Sequence, residues 1–224
     1  FGGGGRDDLG GGPGNDHLNG QGSEDVVHGH DGNDTLNGGS ANDRLYGDAG
    51  HDRINGGSGH DVLNGGSGND TAYGNNGNDV LRGGGGRDWL AGGAGGDKHF
   101  GQGSNDTLQG GASNDLIHGG AGIDQVFETG NGDFTLAAAV LTGQGVDQLL
   151  SVEQGRIETG DGDNMIDASQ FPGSVVFLGG AGDDLLIGGN AIDRLVGQDG
   201  NDTILGHGGH DRIFGGLGHD DLDG

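Results

Sequence analysis

The chain has no cysteine, two prolines and an aromatic content of 4%. The missing cysteine excludes disulfide staples, zinc-thiolate centres and cysteine nucleophiles. Hydrophobic residues make up only 29%, and the longest apolar stretches, around 137–141 and 175–178, are strand-sized rather than membrane-spanning. Positive charge is scarce: 9 Lys and Arg against 35 Asp and Glu give a formal charge of -26. Such acidity argues against nucleic acid and against membrane insertion or anionic lipid as a direct partner. With 61 glycines in 224 residues, an ordinary globular core is ruled against, because glycine loses the most backbone entropy on folding. Read as composition alone, the chain is disordered.

What the chain does have is a period of nine. The pattern G-G-x-G-x-D-x-U-x, with U aliphatic, runs through residues 2–127 as 14 repeats and returns over 179–223 as five. Gly11-Gly12-Pro13-Gly14-Asn15-Asp16-His17-Leu18-Asn19 fits at every specified position, as does Gly56-Gly57-Ser58-Gly59-His60-Asp61-Val62-Leu63-Asn64. All 19 repeats have Gly at position 1 and Asp at position 6, and 17 have Val, Ile or Leu at position 8, with Ala72 and His99 as exceptions. Position 2 is looser, with Gln, His, Asp or Asn in seven repeats. Positions 1 to 6 suit a tight turn that needs left-handed backbone, which glycine and asparagine tolerate best. Positions 7 to 9 then form a three-residue strand with position 8 inward. One apolar side chain per nine residues makes a core only if coils stack.

This repeat resembles the RTX (repeats-in-toxin, hemolysin-type) calcium-binding nonapeptide-repeat proteins over nearly the whole chain. The resemblance implies an all-β fold, a parallel β-roll or β-solenoid of stacked two-repeat coils, in which repeat n lies over repeat n+2. It implies calcium between stacked turns, held by position-6 carboxylates and glycine carbonyls. The ligands expected in the first block are Asp7, Asp16, Asp25, Asp34, Asp43, Asp52, Asp61, Asp70, Asp79, Asp88, Asp97, Asp106, Asp115 and Asp124. In the second block they are Asp184, Asp193, Asp202, Asp211 and Asp220. The n, n+2 rule allows at most 12 sites in the first block and three in the second, about 15 Ca2+ in all. Thirty added positive charges would turn -26 into +4, so folding is expected to depend on the metal. Extracellular calcium modules bind at roughly 10⁻⁴ to 10⁻³ M, so the expectation is a chain exported unfolded that becomes rigid outside the cell or at its surface.

The nonapeptide fails over 128–178, where hydrophobicity rises and 51 residues cannot hold the phase. Residues 159–167 read as a decayed repeat with Asn164 at the Asp position. The domain reading is a β-roll over 1–127, a wider irregular β-solenoid section over 128–178 and a second β-roll over 179–224, with a separately folded insert as the alternative for the middle. Starting at position 9 and ending at position 1 of a repeat, the chain reads as a piece of something longer.

Sharper signals are weaker here. His51 and His60, like His210 and His219, occupy position 5 of adjacent repeats, so they fall on opposite edges and read as exposed turn residues. Inward-facing His99 suggests a local bulge that turns Phe100 in instead. Tyr46, Tyr73, Phe100 and Phe127 recur every 27 residues, an odd number of repeats, and so alternate between faces. In the last block, Ile187 and Leu205 stack on one face and Val196 and Phe214 on the other, which reads either as β-propensity at half-exposed positions or as a surface for another copy or a neighbouring domain. Neither H-E-x-x-H nor G-x-S-x-G occurs. The expected function is a non-enzymatic calcium-binding structural module of a secreted or cell-surface protein. The alternatives are a filament-forming or adhesive surface protein, and the carboxyl-terminal folding and secretion module of an extracellular enzyme whose catalytic domain lies elsewhere.

Overall fold

The computed structural model describes residues 1–224 and contains strands and turns but no helix. Nothing in it is a helix long and apolar enough to cross a membrane. It is a β-solenoid: each nonapeptide contributes one strand, and successive strands fall alternately into two parallel sheets. In the first sheet Thr35–Ser40 pairs with Arg53–Ser58, matching Leu36 to Ile54 and Asn37 to Asn55. In the second, Val62–Ser67 pairs with Val80–Gly85, matching Leu63 to Leu81. Partners are 18 residues apart, two repeats per coil.

The strands differ from expectation in length. A typical one has six residues, covering positions 7 to 9 of one repeat and 1 to 3 of the next. Glycine at position 1 therefore lies inside the strand, where pairing skips it, as between Asn37↔Asn55 and Gly39↔Gly57. The buried positions are 6, 8 and 1, an unbroken alternation, so Asp43, Leu45 and Gly47 all face inward. Left-handed backbone is confined mainly to positions 2 and 4. All seven non-glycine residues at position 2, among them Gln21 (φ 79), His30 (φ 75) and Asp48 (φ 72), adopt it. The longer strand follows because only those two residues per repeat need the left-handed region, leaving position 3 free to pair.

Two compact units divide the chain, Phe1–Asp124 and Gln125–Gly224. The core of the first is a file of fully buried aliphatic side chains, including Leu36, Leu45, Ile54, Leu63, Leu81 and Leu90. The second begins with the wider section. One of its sheets stays parallel, with Gln125–Thr129, Gln154–Glu158 and Ser174–Ala181 in succession. The other acquires an antiparallel meander, Phe134–Ala137, Val140–Thr142 and Val146–Leu150, before Met165–Gln170 restores parallel pairing to Leu185–Ile187. Phe134, Leu136, Phe171 and Phe177 are buried here, giving this section a thicker core than one aliphatic residue per repeat supplies. As expected, Ile187 pairs with Leu205 on one sheet and Val196 with Phe214 on the other.

The bulge expected at His99 is absent. Lys98, His99 and Phe100 pair in regular register with Val80, Leu81 and Arg82, so His99 is fully buried and Phe100 faces out under the Arg82 guanidinium. Five paired residues with each neighbouring strand fix the phase more firmly than one polar side chain can disturb it.

Candidate metal centres

The sites grow out of position 6. Each position-6 Asp ends a turn and opens a strand with its side chain directed inward. Its Oδ1 accepts the backbone N–H of the position-6 Asp two repeats earlier: Asp7 N–H to Asp25 Oδ1 at 2.8 Å, Asp16 to Asp34 at 2.7 Å, and Asp61 to Asp79 at 2.8 Å. The last repeats do the same, with Asp184 N–H bound to Asp202 Oδ1 at 2.9 Å and Asp202 N–H to Asp220 Oδ1 at 3.1 Å. The expected n, n+2 pairs are thus brought together along both edges.

The second oxygen is differently placed. Oδ2 of Asp25, Asp34, Asp43, Asp52, Asp61 and Asp70 is buried with no hydrogen-bond partner, and the same holds at Asp184 and Asp202. A buried carboxylate oxygen without a partner is costly, and such atoms are rare in native proteins. All of these point into one kind of space, next to the position-1 glycine of their own repeat. A Cβ on Gly65 would lie 2.6 Å from the Gly83 carbonyl oxygen and closer still to Asp70 Oδ2. At Gly20 the same space is bounded by the Gly38 carbonyl, 2.8 Å away, and Asp25 Oδ2. The position-1 glycine is therefore needed for room: carboxylate and carbonyl oxygens occupy the volume that any side chain would fill.

No group of three His, Cys, Asp or Glu side chains converges anywhere in the chain. A cation held here must take backbone carbonyls along with carboxylate oxygens. That donor set is all hard oxygen, which fits Ca2+, a cation that accepts six to eight oxygens at about 2.3–2.6 Å and tolerates carbonyls among them. It does not fit the tetrahedral nitrogen and sulfur sets of structural zinc.

Burial makes these carboxylates poor acids. Desolvation, reinforced by neighbouring Asp charges and opposed by the backbone N–H bonds, raises Asp52 and Asp61 to about 6, and Asp97 and Asp106 to about 7. Asp70 also rises to about 6, by desolvation and the charge of Asp88. Without a cation, the stacked carboxylates repel one another in a dry interior.

Two positions depart from the pattern. Asp193 has both oxygens engaged, Oδ1 by Val175 N–H at 2.9 Å and Oδ2 by Gly189 N–H at 2.8 Å. Asn164 takes the Asp role in the decayed repeat, its N–H on Asp184 Oδ1 at 2.9 Å and its own Oδ1 accepting Gly132 N–H at 2.7 Å. Sequence reasoning also missed a second ladder at position 5. Asn33 N–H binds Asn15 Oδ1 at 2.9 Å, His51 N–H binds Asn33 Oδ1 at 2.8 Å, and Asn69 N–H binds His51 Nδ1 at 2.7 Å. The recurrence of Asn and His at position 5 was its signal.

Seven segments of the chain match the RTX calcium-binding nonapeptide repeat, a family model of four copies: residues 1–36, 28–63, 37–72, 64–98, 100–126, 172–195 and 187–222. The chain belongs to the RTX repeat family. Its RTX matches leave out most of the wider section and otherwise follow the two repeat blocks. No curated protein matches the chain. RTX repeats identify the molecule as a calcium-binding module with a structural β-roll fold, which is not a catalytic one.

Proposed function

We propose that the chain is the calcium-dependent structural module of a secreted or cell-surface protein, unfolded at low calcium and ordered by the metal outside the cell. The observation that carries this reading is the row of buried Oδ2 oxygens without hydrogen-bond partners beside position-1 glycines. Bound Ca2+ supplies positive charge to those oxygens. The rest is done by the chain: position-6 carboxylates present Oδ2, position-1 glycines make room, and glycine carbonyls of the stacked repeat complete the oxygen set. We assign ligation to the position-6 Asp residues of both blocks, at most about 15 ions by the n, n+2 rule. Asp193 is the weakest member because both its oxygens already accept hydrogen bonds. The proposed organisation is a β-roll over 1–127, a wider section over 128–178 and a β-roll over 179–224.

Far-UV circular dichroism of the chain, titrated with calcium from chelator to about 10 mM with magnesium as control, tests this. The expected result is a cooperative transition to β-structure with calcium. Equal structure in chelator and in calcium would overturn the reading.

A second reading, self-association of a surface protein, has support at the far end of the second unit. Phe214 and Leu217 are 52% and 71% exposed there. Replacing Val196 and Phe214 with Thr should weaken assembly, measured by sedimentation in calcium, and leave calcium-dependent folding intact. Unchanged assembly would remove this reading.

A further inference from the structure

One interior position carries a nitrogen donor. In two repeats of the last block the position-8 side chain rests against the position-1 glycine of its own repeat: a Cβ on Gly188 would meet Leu195 Cδ1 at 3.3 Å, and one on Gly206 would meet Ile213 Cδ1 at 3.1 Å. In the repeat that begins at Gly92, that methyl place is taken by His99 Nε2. A Cβ on Gly92 would lie 2.7 Å from His99 Nε2, 2.7 Å from the Gly110 carbonyl oxygen, and closer still to Asp97 Oδ2. Three donor atoms from three residues thus surround one small volume. His99 is fully buried, and neither of its ring nitrogens has a hydrogen-bond partner. The Oδ2 of Asp97 is likewise buried without one.

We propose that this repeat holds a nitrogen-seeking divalent ion of the zinc class through His99 Nε2, Asp97 Oδ2 and the Gly110 carbonyl. The reasoning is one of donor type. Imidazole nitrogen suits Zn2+, Cu2+ and Ni2+, whereas Ca2+ takes oxygen. Gly92 has a nitrogen among the three nearest atoms around its Cβ position, where Gly65, Gly74, Gly83 and Gly101 have only oxygen and carbon. The packing supplies the aim: His99 lies in register between Leu81 and Ile117 on neighbouring strands, so its ring projects across the interior toward Gly92 on the opposite sheet.

This inference rests on the reading of position-6 Asp residues as metal ligands, and its test separates the two. The full chain is refolded from chelator in excess calcium with a few equivalents of Zn2+, dialysed against calcium, and its metal content measured. The surface pair His28 and His30, whose Nδ1 atoms lie 3.2 and 3.6 Å from Asp48 Oδ2, is first replaced by Asn in the parent to remove binding at that cluster. The expected result is one retained zinc per chain, lost in His99→Leu, a variant that restores the commonest position-8 residue and so folds. Co2+ in place of zinc should give visible absorption bands that disappear in the same variant. Equal zinc retention with and without His99 overturns the inference, as does no retention in the parent, and His99 is then a core residue only. In all these outcomes calcium-induced circular dichroism reports separately on the proposed function: failure of calcium to order either protein counts against that reading.

Discussion

An aspartate at position 6 serves two purposes with two oxygens. At Asp79, Oδ1 ties stacked coils by accepting the Asp61 N–H, and Oδ2 is buried where only a cation or a proton can satisfy it. Asp70→Asn keeps an oxygen for the Asp52 N–H bond and removes the charge. It should lower calcium affinity at that position several-fold while leaving the β-structure of the saturated chain unchanged, as calcium titration of the two proteins will read. Gly65→Ala should do more damage, because its methyl would sit 2.6 Å from the Gly83 carbonyl. Overpacking of this kind costs about 1–3 kcal/mol, seen as a lower thermal midpoint in calcium. The raised carboxylates also set a pH dependence. In the metal-free fold, Asp52, Asp61 and Asp70 hold protons up to about 6 and Asp97 and Asp106 up to about 7, whereas the unfolded chain releases them near 3.8. The folded state therefore binds more protons between those limits, and its stability in chelator is greatest near the lower one and is lost as pH rises through 6 to 7. Circular dichroism in chelator should show more β-structure at pH 4.5 than at pH 7.5, and the same signal at both would contradict the burial of these groups. At this scale the identity of the ligand candidates was legible from the period of nine. The reason for position-1 glycine was not, because composition cannot tell a residue chosen for positive φ from one chosen for the absence of a methyl.

The strand and its flanking turn form a unit whose edges are tied by side chains as well as by the ladder. Along each edge the position-5 residue accepts the position-5 N–H two repeats on, and His60 does this through Nδ1 to Asn78 N–H at 2.8 Å. His51 and His60, which accept through Nδ1, thus belong to a hydrogen-bond file along the edges of the stack. Removing one acceptor by Asn33→Ala leaves His51 N–H without its partner, a loss of about 0.5–1.5 kcal/mol. Asn33→Asp should recover most of it, a contrast that separates the hydrogen bond from general turn propensity in thermal unfolding with calcium. Much of the element was readable beforehand: alternation put position 8 inside, and the odd spacing of Tyr46, Tyr73 and Phe100 placed them on alternate sheets. Strand length was not, because a glycine-rich stretch reads as turn until neighbouring coils supply the partners that hold it extended.

For the whole molecule, the two units differ in what keeps them together. The first depends on one aliphatic residue per repeat and a dense file of carboxylates, while the second buries Phe134, Leu136, Phe171 and Phe177 in its wider section. Apolar burial contributes stability without metal. At limiting calcium, hydrogen exchange should therefore find amides of Met165–Gln170 and Ser174–Ala181 protected while those of Thr35–Ser40 and Val62–Ser67 exchange. Simultaneous loss of protection in both regions would argue that the aromatic core adds nothing of its own. The wider section was visible in sequence as a rise in hydrophobicity, but its antiparallel meander was not, since nothing in 134–150 marks strand direction.

The carboxylate file also has a polarity. In each pair the earlier repeat offers the amide and the later one the oxygen, from Asp7 and Asp25 through Asp106 and Asp124. Trimming coils from the end of a block leaves buried amides of this file without an acceptor, as at Asp25 and Asp34. Trimming from its start frees carboxylate oxygens and opens the position-5 file, which runs the other way from Asn33 N–H to Asn15 Oδ1 but is exposed, where water serves it. Order in such a stack should spread more easily from its last coil backward than from its first coil forward.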